Sequence, residues 1–182
     1  MKKVLLLGDS IRLNYQPQVG EKLTGIAEVV GPADNCRFTK YTLWHIKIWV
    51  DELGKPDIIH WNNGLWDVYR HNTDVGIFTP LEEYLCELKR ILTELRKTEA
   101  RIIWASTTPV NPNNEFTRNS DIDLYNKAAE EFMKKEQIEI NDLNSQIKTN
   151  VQLFICQDYT HLSEEGKEVC SDAVAAAIKK YI

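Results

Sequence analysis

The chain has 182 residues, of which 43% are hydrophobic and 27% charged, and this ordinary globular composition argues against intrinsic disorder. It carries 22 basic and 27 acidic side chains, and no cluster of lysines and arginines indicates a nucleic-acid partner. Its apolar runs are far shorter than the ~20 residues of a membrane span, and no apolar signal-peptide region follows Lys2 and Lys3. We therefore expect a soluble, cytoplasmic protein.

Short apolar runs alternate along the chain with stripes at helical spacing. In chain order they predict a strand over 3–7, a strand over 26–30, a helix over 43–53, a strand over 57–61, a helix over 81–95, a strand over 101–105, a helix over 122–132, a strand over 138–140 and a helix over 169–181. This alternation predicts an α/β fold, a three-layer α/β/α sandwich around a mainly parallel five-stranded sheet. No repeat or linker interrupts it, so we expect a single domain over 1–182.

The loops that follow the predicted strands are the expected location of a binding site, because ligands bind at the carboxyl ends of parallel strands. These loops cover 8–15, 31–39, 62–74 and 106–120. Four polar side chains in them are candidates for lining a pocket: Arg12, Asn14, Tyr15 and Arg37. Trp61 and Trp104, at the ends of two strands, are interpreted as core residues.

Cysteines and histidines give no metal or disulfide pattern. The cysteines are Cys36, Cys86, Cys156 and Cys170, and the histidines are His45, His60, His71 and His161. No CxxC pair or close-set ligand group occurs among them, so we expect buried free thiols and no zinc site.

Two short motifs near opposite ends of the chain carry potential chemistry. Gly8-Asp9-Ser10-Ile11 follows the first predicted strand, and Asp158-Tyr159-Thr160-His161 precedes the last helix. A serine hydroxyl becomes a good nucleophile when a neighbouring base takes its proton. An imidazole can do so near neutral pH, and a carboxylate on its other nitrogen fixes the tautomer. Asp158 and His161, three residues apart, can supply orienter and base together.

Each motif also has a structural interpretation. A Gly-Asp-Ser sequence after a strand is often a turn whose polar side chains cap the next helix, and Asp9 is interpreted as bracing this turn. The second motif can equally mark the entry to a helix with Ser163 as its N-cap. Neither motif alone therefore decides between a catalytic and a structural role.

Together the motifs resemble the SGNH hydrolases, also called GDSL-type lipases and esterases. Gly8-Asp9-Ser10-Ile11 is similar to the first block of that family, with Ile in place of Leu, and Asp158-Tyr159-Thr160-His161 is similar to its last block. Between them, Gly64-Leu65-Trp66-Asp67 resembles the third block, usually Gly-x-Asn-Asp. The blocks occur in the family's order over nearly the whole chain. The resemblance implies a flavodoxin-like sheet with Ser10 as nucleophile, His161 as general base and acid, and Asp158 as orienter.

The same resemblance implies donors for the oxyanion of the tetrahedral intermediate. In the family these are the serine N–H, a glycine N–H after the second strand and the third-block Asn side chain. Here the second-strand loop has no glycine at that point, so Cys36 or a neighbour is expected to supply the backbone N–H. Trp66 occupies the Asn position, and its indole N–H, Asn62 or Asn63 are the candidates to replace that side chain.

The implied activity is hydrolysis of a carboxylic ester through an acyl-Ser10 intermediate, without a metal or organic cofactor. Small-molecule esters are the expected partners, with small acyl groups, on carbohydrates in particular, while thioesters and lysophospholipids remain open. Two alternatives belong to other classes. One is an inactive SGNH-fold protein that binds a glycan or acylated ligand, suggested by Trp66 at the Asn position. The other is a binding or signalling domain with a coincidental triad, which predicts that Ser10 and His161 lie far apart.

Overall fold

The computed structural model describes residues 1–70 and 75–182, so that the end of the predicted 62–74 loop, with His71, lies outside the described residues. Its strands are β1 (Lys2–Leu7), β2 (Ala27–Val30), β3 (Ile58–Trp61), β4 (Arg101–Ala105) and β5 (Glu139–Asn141). Its helices are α1 (Ser10–Lys22), α2 (Thr39–Leu53), α3 (Leu81–Arg96), α4 (Asn119–Lys135), α5 (Leu143–Lys148), α6 (Val151–Phe154) and α7 (Glu164–Lys179).

The five strands form one sheet in the order β2-β1-β3-β4-β5, and every neighbouring pair is parallel. Strand β1 lies inside the sheet, with Leu5 beside Val30 of β2 and Ile59 of β3. Both faces of these inner strands are covered, which explains their unbroken apolar runs. The predicted five-stranded α/β/α sandwich is confirmed.

Helices cover both faces of the sheet. Helix α1 packs against α7, and α2 packs against α3. In α3 the buried positions, Tyr84, Leu88, Ile91 and Leu95, recur at the spacing of one helix face. Trp61 and Trp104 are fully buried, as predicted for core residues. Within the described residues, no helix has the length and apolar character needed to cross a membrane.

The prediction of a loop over 8–15 is wrong beyond Asp9, because α1 begins at Ser10. The Asp9 carboxylate accepts the Ile11 N–H at 2.9 Å and caps the new helix. Polar residues between its apolar positions and Pro17 inside it weakened the helical pattern. Ile11, Tyr15 and Val19 are nevertheless buried at four-residue spacing, and this spacing was the available signal.

The cysteines are all free, as predicted, but not all are buried. Cys36 and Cys170 lie in the core, whereas Cys86 is exposed and Cys156 is half-buried. Within the described residues, no group of three or more histidine, cysteine, aspartate or glutamate side chains is arranged to hold a metal ion.

Candidate active site

Ser10 is the first residue of α1 and directly follows the buried carboxyl end of β1. The connection is tight at Gly8, where an added Cβ atom would lie 2.7 Å from the Cβ of Arg12. As the first helical residue, Ser10 also has a backbone N–H that the helix does not use. The fold therefore places a hydroxyl and a free N–H together at the carboxyl edge of the sheet.

A buried arginine fixes this turn to the loop after β2. The guanidinium of Arg12 donates to the carbonyl oxygens of Pro32 and Asp34, both at 2.8 Å, and to that of Gly8 at 3.3 Å. Only 1% of Arg12 is exposed, so these contacts lie in the interior, where charged hydrogen bonds are strong. Arg12 thus has a structural position behind Ser10 and does not line the pocket.

The segment that carries His161 is held by short-range contacts of its own and by hydrogen bonds to Asn14, Asn111 and Asn114. The Asp158 carboxylate accepts the N–H groups of Thr160 and His161, each at 2.9 Å. An antiparallel bridge joins Ile155 to Leu162 at the base of the segment. Ser163 then caps α7 by accepting the Gly166 N–H at 3.1 Å, so the predicted helix entry and the predicted triad residues coexist.

A continuous hydrogen-bonded chain links the two motifs. The Nε2 of His161 lies 2.9 Å from the Oγ of Ser10, and its Nδ1 lies 2.7 Å from Oδ2 of Asp158. Burial raises the pKa of Asp158, but hydrogen bonds from the Thr160 and His161 N–H groups and from the His161 ring outweigh it, and the pKa is lowered. Asp158 is therefore a stable carboxylate beside the imidazole. This closeness contradicts the expectation of the coincidental-triad alternative, that Ser10 and His161 lie far apart.

An open cavity of about 440 Å³ adjoins this chain. It is lined by Ser10 and His161 together with Asn35, Leu65, Trp66 and Tyr69, and its surface is largely apolar. Trp66 is 40% exposed, unlike the buried Trp61 and Trp104. The cavity is large enough for a small ligand whose reacting group lies at Ser10.

Of the four predicted oxyanion and substrate residues, only Trp66 lines this cavity. The N–H of Cys36 donates to the Gly8 carbonyl at 3.1 Å, so the prediction that Cys36 itself offers a free donor is wrong. Asn62 directs its amide to the Ala105 carbonyl at 2.8 Å. Asn63 is fully buried and donates to the Arg37 carbonyl and to Thr42. These groups are held by the fold because each connects the sheet edge to a neighbouring loop.

The four polar loop residues predicted as pocket candidates lie elsewhere. Arg12 and Tyr15 are buried, Asn14 accepts the Leu162 N–H, and Arg37 lies over the Tyr41 ring. Sequence reasoning missed Asn35 and Tyr69, which do line the cavity. Asn35 belongs to the predicted 31–39 loop, so its position in that loop was the available signal.

Two carboxyl groups near the site are buried, and their pKa values are raised, whereas that of Asp158 is lowered. Burial raises the pKa of Asp9 to about 6, against the Ile11 N–H and the Arg12 charge, which lower it. Burial likewise raises the pKa of Asp67 to about 7. Asp67 accepts the N–H and the hydroxyl of Thr39 and so holds the start of α2. Both groups have structural partners, and for Asp9 this agrees with its interpretation from the sequence as a residue that braces the turn.

The sequence of this chain is similar to that of a known GDSL-type protein. A rice protein (Oryza sativa subsp. japonica) named GDSL esterase/lipase WDL1 is 27% identical over 138 residues, which are 68% of this chain. The match spans about half of that relative, 53% of its length. No protein-family profile matches the chain. The predicted resemblance to the GDSL-type, or SGNH, hydrolases is confirmed.

Solved structures share the fold at low sequence identity. A lipase/acylhydrolase from Enterococcus faecalis superposes with a TM-score of 0.85 at 18% identity, covering 99% of this chain and 96% of its own. The acetyl xylan esterase AlAXEase gives 0.82 at 19% identity, with 97% and 99% covered. The acetylxylan esterase Axe2 from Geobacillus stearothermophilus gives 0.80 at 17%, with 96% and 93% covered. The architecture of this chain is therefore that of these hydrolases.

Proposed function

We propose that this chain is a serine esterase of the SGNH type, which hydrolyses carboxylic esters through an acyl-Ser10 intermediate. The observation that carries the proposal is the hydrogen-bonded chain from Asp158 through His161 to Ser10, with distances of 2.7 and 2.9 Å. The similarity to a GDSL esterase/lipase supports the same reaction class. Function and geometry agree because this arrangement activates a hydroxyl for acyl transfer.

The proposed reaction has two halves, each using the same imidazole. The Ser10 oxygen attacks the ester carbon and its proton passes to Nε2 of His161, which gives a tetrahedral oxyanion. When this intermediate collapses, the carbon–oxygen bond to the alcohol breaks and His161 returns the proton to that alcohol. A water molecule then attacks the acyl-serine, again losing a proton to His161, and the acid leaves as Ser10 regains its proton.

Asp158 is proposed to orient the ring and stabilise the imidazolium. Its Oδ2 lies opposite Nδ1, which places the Nδ1 proton between these atoms and leaves Nε2 free to accept from Ser10. The side chain of Asp158 is 52% exposed, so the positioning depends on the two backbone N–H groups that hold its other oxygen. No metal or organic cofactor takes part in this chemistry.

The cavity supports small acyl esters of carbohydrates as the substrate class. Its aromatic side chains, Trp66 and Tyr69, provide surfaces on which a sugar ring can pack, and its volume of about 440 Å³ suits a small ligand. Two proteins of the same fold are named acetylxylan esterases, which agrees with an acetylated carbohydrate. We therefore place the acyl group at Ser10 and the carbohydrate against Trp66.

A second candidate function is binding of a glycan or acylated ligand without turnover. The observation in its favour is Trp66, which stands where the family has its oxyanion asparagine. A site that lacks an oxyanion donor loses about 100- to 1,000-fold in turnover. Direct assays therefore have to separate a slow enzyme from a binder.

The test compares wild type with Ser10→Ala and with Ser120→Ala, which alters an exposed serine on α4. We expect wild type and Ser120→Ala to hydrolyse p-nitrophenyl acetate and acetylated xylo-oligosaccharides, and a fluorophosphonate to label both. Ser10→Ala should lose activity and labelling while its circular dichroism spectrum is unchanged. Absence of both turnover and labelling in folded wild type would instead favour the binding protein.

A further inference from the structure

Ester hydrolysis at Ser10, the function proposed above, requires hydrogen-bond donors for the oxyanion of the tetrahedral intermediate. The Ser10 N–H is one such donor, and removing a single donor from an oxyanion site costs about 100- to 1,000-fold in turnover, so a second donor is expected. The remaining donor has to lie in the cavity that Ser10 and His161 share, and it has to be free of other partners.

Three of the four groups expected from sequence do not meet both conditions, and the fourth, the Trp66 indole N–H, lines the cavity and is the rival donor that Trp66→Phe tests. The Cys36 N–H is bound to the Gly8 carbonyl, and the amides of Asn62 and Asn63 are bound to Ala105 and to Arg37 and Thr42. Redirecting any of them would leave a buried carbonyl without its donor, which costs about 1–3 kcal/mol. They are therefore structural donors in this fold.

Asn35 meets both conditions. It lines the cavity with Ser10, and its Oδ1 accepts the Arg37 N–H at 2.7 Å, while its own N–H is held by Asp34 at 2.8 Å. Arg37 has a positive φ of 50°, so the chain turns tightly around the Asn35 side chain. With Oδ1 engaged, Nδ2 is the group left over, and it has no partner in the part of the chain that the structure describes.

We propose that Nδ2 of Asn35 donates a hydrogen bond to the oxyanion at Ser10 and thereby takes the role of the third-block asparagine that Trp66 has replaced. The donor comes from the loop after β2 and not from the loop after β3. Its amide is held in place before the substrate binds, because Oδ1 and the backbone N–H of Asn35 both have fixed partners. Such preorganisation is what makes an oxyanion donor effective.

The variant Asn35→Asp tests the proposal with little disturbance of the turn. Its carboxylate still accepts the Arg37 N–H but has no hydrogen to donate. We expect kcat for p-nitrophenyl acetate to fall about 100- to 1,000-fold with a much smaller change in KM. Affinity for a boronic acid, which forms a tetrahedral adduct on serine, should fall in parallel. Asn35→Ala, which adds no charge, should show the same loss of kcat.

The control Asn113→Asp places the same charge on an exposed residue of the 106–120 loop, and its kcat should stay within about threefold of wild type. Trp66→Phe keeps an aromatic ring and removes the rival indole N–H. A large loss of kcat in Trp66→Phe, with Asn35→Asp and Asn35→Ala close to wild type, overturns the assignment. Failure of the proposed function itself is distinguished by wild type, which would then equal Ser10→Ala.

A second inference rests on a different observation, a set of unpaired polar atoms behind the nucleophile. Oδ2 of Asp9 and the hydroxyls of Tyr15 and Thr108 are buried without a partner among the described residues. All three residues line one small cavity of about 10 Å³, next to the Ser10 turn. Buried polar atoms are nearly always paired, and such a volume is about that of one water.

We infer that this cavity binds a single water molecule, which donates to Asp9 and bridges the two hydroxyls. Thr108→Val and Tyr15→Phe each remove one partner, so each should lower the thermal midpoint by a few degrees. A high-resolution crystal structure of wild type should show the water within hydrogen-bond distance of all three groups. Without the water, each variant would delete an unpaired hydroxyl and raise the midpoint. A raised midpoint in both variants, or an empty cavity in the crystal, overturns the inference.

Discussion

The two halves of the site are held in place by different means. The nucleophile turn, residues 8–12, is buried, and Arg12 joins it to the loop after β2 by hydrogen bonds across the fold. The base segment, residues 155–162, keeps Asp158 and His161 about half exposed, and it is held by hydrogen bonds within the segment and by bonds to Asn14, Asn111 and Asn114. The position of Ser10 therefore depends on contacts in the buried interior, whereas that of His161 depends on hydrogen bonds near the surface, both within its own segment and to neighbouring loops. Substitutions in the two halves should separate stability from chemistry.

The largest expected effect comes from the base segment. In Asp158→Asn, Oδ1 still accepts the two backbone N–H groups, but an amide NH₂ replaces the oxygen opposite Nδ1 of His161. This favours the tautomer with its proton on Nε2, which cannot accept from Ser10. We expect kcat/KM to fall about 10³- to 10⁴-fold, or about 4–5.5 kcal/mol, with unfolding changed by less than ~1 kcal/mol. Ester assays and urea unfolding measure both quantities, and a parallel loss of stability would contradict the comparison.

The next effect belongs to the nucleophile turn. Arg12→Met keeps a long side chain in the core but leaves the carbonyls of Pro32 and Asp34 without their donor. We expect the free energy of unfolding to fall by about 3–5 kcal/mol, with activity lost as the turn loosens. The matched control Arg37→Met removes a half-exposed guanidinium and should cost less than ~1 kcal/mol. If urea titrations gave the same loss of unfolding free energy for Arg12→Met and Arg37→Met, the burial of Arg12 would not make its hydrogen bonds more stabilising than the contacts of Arg37.

A pH dependence sharpens the contrast between the carboxylates of the two halves. The pKa of Asp9 is raised to about 6 by burial, so the folded protein holds this proton more tightly than the unfolded chain does. The contribution of Asp9 to the free energy of unfolding should therefore fall as pH rises from about 4 to about 6, by about 2–3 kcal/mol, and change no further above that range. Asp9→Asn can keep the cap on Ile11 and should lack this contribution.

Unfolding of wild type and Asp9→Asn at several pH values measures the difference between them. Other groups titrate in the same range, such as His60, whose pKa burial lowers to about 4, but they contribute equally to both proteins. A constant difference between pH 4 and pH 6 would show that Asp9 is already ionised in the folded protein at acid pH.

The smallest effect is expected along α1, away from the nucleophile. An added Cβ at Gly20 has no atom within 4 Å, whereas one at Gly8 would lie 2.7 Å from Cβ of Arg12. Gly20→Ala should raise the free energy of unfolding by about 0.5–1 kcal/mol and leave ester hydrolysis unchanged. Gly8→Ala should instead lower both stability and activity. Thermal unfolding of Gly20→Ala and Gly8→Ala shows whether the first variant is more stable than wild type and the second less stable.

The sheet and the triad geometry were predictable because their signals are local. Each strand is a short apolar run, and Ser10, Asp158 and His161 belong to motifs whose place relative to strands and helices indicates one edge of the sheet. Their catalytic roles stay a prediction until the variants are assayed. The start of α1 was missed because its buried face is narrow and Arg12, a charged residue, belongs to it.

The lining of the cavity was not predictable from residue type. Asn62, Asn63 and Asn35 are chemically equivalent as donors, yet the first two are consumed by backbone carbonyls of neighbouring loops. Which asparagine keeps its amide free to donate to a ligand depends on how the loops after β2, β3 and β4 pack together. The packing of these loops is a tertiary feature, and no short sequence pattern predicts it.

The pairing of α1 with α7 has a consequence for folding. Ser10 and His161 are 151 positions apart, and Lys22 at the end of α1 forms ion pairs with Glu168 and Asp172 of α7. Contacts over such separations carry a loop-closure cost before they stabilise the fold, and a high share of them slows folding. During synthesis, the nucleophile leaves the ribosome long before its base does. A nascent chain therefore carries Ser10 without its base until the segment with His161 has been made and has reached the Ser10 turn.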